Sequence, residues 1–261
     1  WASDYMAAWP ELLRKQQECY AEDGLDWRQV ARERVFPHLA DRLPAMQAAH
    51  ANLLRACGPV QAAVRERLGL DEPLTLVIYV GIGCGAGWAT RYAGTLAVLF
   101  GLENIAECGW SGLEAITGLA AHEMGHLAHA HWRTEGQRAD GSGPWWMLYD
   151  EGFAQRCEHL ILGRDSWSCS YSADWPDWCQ EHLGLLAAEF LRRVDACESV
   201  RPFFGSWFEV RGRKQTGYFL GHEVIRHLQA THSLREIALL EGAEVHVLLR
   251  QEVERLADQS N

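Results

Sequence analysis

Residues 111–133 read SGLEAITGLAAHEMGHLAHAHWR, and their spacing decides the fold. Leu113, Ile116, Leu119 and Ala120 recur at helical intervals and predict a helix running through about Arg133. Ser111-Gly112-Leu113-Glu114 has the form of a capping box, with Ser111 as the expected N-cap. Inside this helix lies His122-Glu123-Met124-Gly125-His126, an HExxH pattern. Residues four apart on a helix lie one turn apart on one face, so the two imidazoles can aim at a single ion. Glu123 projects beside them, placed to take a proton from a water on that ion rather than to bind it. Random placement of the chain's histidines and glutamates gives about 0.05 such matches. Two core histidines without partners on an otherwise apolar helix face would be expensive.

Upstream, Leu74 to Val80 reads as a strand by its length and β-branched content. A glycine-rich run, Gly81 to Gly87, follows it. Trp88 to Tyr92 and Thr95 to Phe100, joined through Ala93-Gly94, read as a hairpin. Downstream, a polar connection (Glu135 to Pro144) leads to a helix from about Trp146 to Leu162. Residues 165–178 lack periodicity and hold three Trp and one Tyr, which suggests an aromatic surface loop or a lid over a cleft. Further helices are expected at about 179–197, 215–230 and 242–257. The stretch from Tyr5 to Leu70 is helical, with Pro37, Pro44 and Pro59 expected to break or begin elements. The fold class is α+β and mostly helical: a small antiparallel sheet packed on the HExxH helix, with helical segments at both ends. The expected units are residues 1–72 (N-terminal helices), 73–163 (sheet and motif helices) and 164–261 (aromatic loop and C-terminal helical lobe), forming one compact two-lobed body.

A catalytic metal site usually has three protein ligands and one open position. Downstream candidates for the third are His129, His131 and Glu151. A third histidine six residues after His126 is ruled out, because that position is Trp132. His129 lies one turn too far along and is better placed to support a ligand or to pack. Glu151 opens Glu151-Gly152-Phe153-Ala154 on the next expected helix, 25 residues beyond His126, and an antiparallel helix would return it to the ion.

HExxH followed by a helix carrying E-G-F-A resembles the gluzincins, the clan of zinc peptidases that includes thermolysin and the aminopeptidase N family. The wider chain resembles a bacterial family of predicted zinc-dependent proteases of unknown function. The shared stretches are Tyr79 to Trp88, Gly101 to Glu107, the HExxH helix and Gly217-Tyr218-Phe219-Leu220-Gly221, covering about residues 74–230. The resemblance implies a zincin core and one Zn2+ per chain, held by His122, His126 and Glu151. It also implies Glu123 as general base and Tyr218 as a donor to the oxyanion. His222, four residues after Tyr218, is a second candidate for that donor. Gln155 stands where such enzymes often carry a carboxylate that orients a ligand. Glu158, one turn on, is the candidate replacement, and His129, Gln155 and Glu158 are the residues expected behind the ligands.

Gly81-x-Gly83-x-x-Ala86 after a strand matches a dinucleotide-binding fingerprint in form, but no helix follows it and no βαβ repeat appears. These glycines instead suit an edge strand that pairs with an extended peptide, making Gly85, Ala86, Gly87 and Trp88 the expected substrate-binding residues. Trp88, Trp110, Trp145 and Trp146 flank the motifs, while Trp167, Trp175 and Trp178 lie in the aromatic stretch, favouring apolar substrate side chains.

Composition narrows the classes further. The 261 residues include 24 Lys+Arg against 35 Asp+Glu, a net charge of −11, and 48% are hydrophobic. That excludes a disordered chain and argues against a phosphate-tracking nucleic-acid binder. No apolar run is long enough to span a membrane. The eight cysteines (Cys19, Cys57, Cys84, Cys108, Cys157, Cys169, Cys179, Cys197) form no CxxC pair, so reduced thiols and a cytoplasmic location are expected. The expected partner is a peptide or small amide substrate. Two alternatives are a zinc-dependent hydrolase of a non-peptide small substrate and an interaction module with a structural metal. Glu123 argues against the last, since a structural site needs no base and fills its fourth position with protein.

Overall fold

The computed structural model describes residues 1–22, 25–137, 141–167, 170, 172–205 and 207–259. Helices α1 (Pro10–Glu22) and α2 (Trp27–Val30) lead through a π turn (Ala31–Val35) into α3 (Leu39–Leu68). Strands β1 (Leu74–Tyr79), β2 (Gly87–Tyr92) and β3 (Thr95–Gly101) follow, then α4 (Leu102–Glu107), α5 (Leu113–Glu135) and α6 (Pro144–Leu162). The remainder is helical: α7 (Trp175–Glu181), α8 (Leu183–Asp195), α9 (Thr216–Leu228), α10 (Leu234–Ala238) and α11 (Gly242–Asp258).

The sheet has three strands in the order β1-β3-β2. The hairpin of β2 and β3 turns at Ala93-Gly94 as expected, with Tyr92 opposite Thr95. The expectation of an antiparallel sheet is corrected, because β1 pairs with β3 in parallel, Leu74 opposite Leu96. Strand composition explains the arrangement. β3 is apolar and buried from its second residue onward, so it takes the centre, where both faces are covered. β2 carries Thr90 and Arg91 and is left at an edge.

Three other expectations are corrected. Pro44 and Pro59 do not end helices; both lie inside the 30-residue α3. A buried stripe of Met46, Ala49, Leu53, Ala56, Cys57, Val60, Val64 and Leu68 runs past Pro59 at helical spacing, so packing outweighs the missing hydrogen bonds. The N-cap of α5 is Gly112 rather than Ser111, with no side-chain cap. Asn52 donates to the Ser111 carbonyl at 2.8 Å and holds that residue outside the helix. Finally, the aromatic stretch 165–178 is not a lid. Trp175 is buried at the start of α7, and Trp167 stacks on Phe219 with ring centroids 4.8 Å apart. Residues 168, 169 and 171 of that stretch lie outside the described residues.

One buried cluster runs from Met46 to Leu256 and ties α3, α5, α6, α9 and α11 together. At its centre α6 and α9 cross at Gly152 and Gly221, where a Cβ on Gly152 would stand 2.3 Å from the Gly221 carbonyl carbon. Only glycine allows that approach, and it brings α9 close behind the metal-ligand candidates. No disulfide links the seven described cysteines to one another, and Cys169 lies outside the described residues. No described helix is long and apolar enough to cross a membrane.

Candidate metal centre

His122, Glu123 and His126 sit in the middle of α5, and α6 packs alongside to return Glu151. Glu151 Oε2 lies 3.2 Å from His122 Nε2 and 3.5 Å from His126 Nε2. Bonds of 2.0–2.1 Å in a tetrahedron place ligand atoms about 3.3 Å apart. These two spacings match that edge length. Among the described residues, these three side chains form the one group of His, Cys, Asp or Glu whose ligand atoms all lie within 4.8 Å of one another.

The second nitrogen of each imidazole also faces a carboxylate. His122 Nδ1 lies 3.6 Å from Glu158 Oε2, and His126 Nδ1 lies 3.3 Å from Asp150 Oδ2. Glu158 is fully buried and is fixed in turn by Gln155, which donates at 3.0 Å, and by the Ser166 hydroxyl, which donates at 2.6 Å. Asp150 contacts His129 Nδ1 at 2.8 Å. The other nitrogen of His129 meets the Tyr149 hydroxyl at 3.1 Å, and that hydroxyl donates to the Ile237 carbonyl at 2.6 Å. Such partners fix the tautomer and ring orientation of a ligating histidine.

The electrostatics favour a cation between these groups. Burial opposes charge on His122, yet the neighbouring Glu151 and Glu158 carboxylates outweigh it and raise its pKa to about 9. His126 is likewise raised well above the ordinary range, with Asp150 and Glu151 overcoming its burial. Burial also opposes charge on Glu151, but contact with the two imidazoles holds it at about 2. Asp150, half-buried and facing His126 and His129, is held well below the usual carboxylate range. Two imidazoles and a carboxylate, one buried and two partly buried, have a donor set that could hold a metal ion.

Glu123 lies beside this group, against the sheet edge. Its Oε2 accepts the Ala89 N–H at 2.9 Å, and a Cβ on Gly87 would stand 2.4 Å from its Oε1. Glycine at 87 is therefore what lets β2 lie against the carboxylate. Burial raises the pKa of Glu123, against the pull of His126 and His122.

These groups open into a cleft of about 1000 Å³ lined by Gly85, Ala86, Gly87, Trp88 and Tyr218, with Glu123 at its floor. Trp110 and Trp146 also line it, whereas Trp145, Trp167, Trp175 and Trp178 are not among its described lining residues. The Tyr218 ring lies 5.6 Å from that of His122. His222 does not share this position. Past the Gly152–Gly221 crossing its face of α9 is covered, and its ring packs 4.3 Å from His159 and 5.0 Å from Trp167. His131 lies 3.3 Å from Glu135, one turn further along α5.

Two residues were missed by sequence reasoning. Asp150 precedes the glutamate ligand candidate, and that adjacency was its only signal. Glu103 is buried within the Gly101–Glu107 stretch and accepts the Gly81 and Gly83 N–H groups at 2.7 and 3.0 Å. It pins the glycine-rich loop that forms one cleft wall. No family model matches the chain, and no curated protein or solved structure shows significant similarity to it.

Proposed function

We propose that this chain is a zinc-dependent metallopeptidase that hydrolyses peptide or amide bonds, with His122, His126 and Glu151 as the metal ligands. The observation that carries this reading is the doubly supported pair of histidines. Both Nε2 atoms face one Glu151 oxygen, and both Nδ1 atoms face a fixed carboxylate. A bound zinc ion would polarise the scissile carbonyl and make an attacking water acidic near neutral pH. Glu123 takes the proton from that water and hands it to the leaving amine. Tyr218, which lines the cleft with its ring 5.6 Å from that of His122, is the proposed donor to the oxyanion.

A peptide is favoured over a small ester by the outer edge of β2 along the cleft, where Glu123 takes the Ala89 N–H. Because Ala89 turns its N–H away from β3 toward Glu123, the alternation of the ladder turns Gly87 and Arg91 outward too, ready to pair with an extended chain.

Elemental analysis paired with peptide-library cleavage tests the proposal. About one zinc per chain is expected in the wild type and in Glu123→Gln, with most of it lost in Glu151→Ala. Zinc retained in Glu151→Ala would overturn the third ligand, and zinc without cleavage of any peptide would overturn the peptidase reading.

A further inference from the structure

The cleft is closed at one end. One wall is β2 with the glycine loop before it; the other is contributed by residues 201–218, including Arg201, Trp207, Gln215 and Tyr218. At the Gly83–Cys84 end the π turn Ala31–Val35 joins the two walls. Its Val35 abuts the glycine loop, where a Cβ on Gly83 would stand 3.2 Å from Val35 Cγ2. The adjacent Arg34 lays its guanidinium 3.9 Å from the Trp207 ring centroid, and Trp207 lines the cleft. Tyr20 of α1 donates to the Ile82 carbonyl and holds the same loop from beneath. Arg91 and Glu135, lining residues away from this bridge, are exposed, as are Arg201, Gly205 and Phe208 along the second wall.

We infer that this bridge is an end stop, so that the cleft takes the carboxyl end of a peptide and cleaves close to it rather than in a chain interior. The inference rests on the peptidase reading above and adds its substrate class. Polarity follows from two independent features. β2 begins at the stop and runs away from it, from Gly87 to Tyr92. A peptide adding antiparallel, the pairing that is roughly two- to three-fold commoner, therefore points its carboxyl end at the stop. The second feature is charge. Among the described lining residues contributed by 19–20, 83–88 and 201–218, Arg201 carries the one charged side chain, and a guanidinium suits a terminal carboxylate. Gln215 lies in the same wall, buried, in a left-handed conformation (φ 55°) at the N-cap of α9, and its Oε1 has no partner in the protein. As an acceptor, that oxygen would take a backbone N–H of the bound chain, not its carboxylate.

Binding is read first, on zinc-loaded Glu123→Gln, with matched peptides that are free or blocked at each end. A C-terminal amide should weaken binding at least roughly tenfold, while N-terminal acetylation should leave it unchanged. Cleavage by the wild type should map to bonds near the carboxyl end. Trp207→Ala and, should that variant fold poorly, Arg34→Ala should raise the ratio of internal to terminal cleavage in long unstructured chains. Equal binding of acid and amide, or efficient internal cleavage by the wild type, overturns the end stop while leaving the peptidase reading intact. A zinc-loaded protein that neither binds nor cuts any peptide overturns both.

Discussion

The chain contains the dipeptide His-Glu twice on buried helical faces, His122-Glu123 on α5 and His222-Glu223 on α9, and the two behave in opposite ways. His122 pairs with His126 at a ring distance of 4.9 Å, and His222 pairs with His159 at 4.3 Å. Around the first pair stand Glu151, Asp150 and Glu158, which raise both imidazole pKa values. Around the second pair stand Trp167, the Ser166 carbonyl and the positive charge of Arg156, and its two nearest carboxylates are the solvent-exposed Asp165, 3.5 Å from His159 Nδ1, and Glu223, 3.1 Å from His222 Nδ1 but shared with Arg226 at 2.6 Å. Burial there lowers His222 and takes His159 down to about 4. His222 Nε2 and His159 Nδ1 have no hydrogen-bond partner. One pair is arranged to hold positive charge and the other to exclude it. Residue identity is shared; the first pair faces carboxylates that, among the described residues, no arginine neutralises, whereas the second has one carboxylate shared with Arg226 and one in solvent.

The comparison breaks most visibly in catalysis. Glu123→Gln should lower kcat/KM on a cleaved peptide by about 10²–10⁴-fold with zinc content unchanged, the range expected for loss of a general base. Comparable activity in that variant would remove Glu123 from the chemistry.

The second pair should show itself in stability. An unfolded histidine binds a proton at pH near 6.5, whereas His159 in the fold does so only near 4. Its contribution is therefore complete above about pH 6.5 and lost as pH falls toward 4, amounting to about 3 kcal/mol. Urea unfolding at a series of pH values should show that decline, and His159→Phe should flatten it. A wild-type curve already flat across the window would mean the second pair is not held neutral.

The carboxylates behind the first pair come next. Glu158→Gln and Asp150→Asn should each weaken zinc about 10–100-fold in competition with a chelating dye. Unchanged affinity in both would reduce these contacts to packing. The smallest effect belongs to the counterpart on α9, where Glu223→Gln should leave kcat/KM within about threefold while costing about 1–2 kcal/mol of stability through Arg226 and His222.

Much of this was legible in the chain. Helical spacing placed His122 and His126 on one face, and the hydrophobic runs located β1, the hairpin and α5, α6, α9 and α11 to within a few residues. Misreadings arose where distant partners decided the outcome. Ser111 has the chemistry of a cap, but Asn52 of α3 holds its carbonyl outside the helix. Pro44 and Pro59 carry a local penalty that the buried face of α3 overrides. The aromatic stretch looks exposed by its polarity, yet Trp167 and Trp175 pack against Phe219.

By itself the sequence determined that two histidines share one face of α5, with a glutamate beside them and strands that border them, because all of these follow from periodicity within one element. Only the tertiary structure decided that Glu151 meets both Nε2 atoms, that Asp150 and Glu158 stand behind the rings, and that His222 is turned away from the cleft. Those outcomes depend on how α5, α6 and α9 pack, and the approach of α9 to α6 is set by the contact of Gly152 with Gly221, 69 residues apart in the chain. Spacing along a helix says which side chains share a face; the neighbouring helix decides what that face meets.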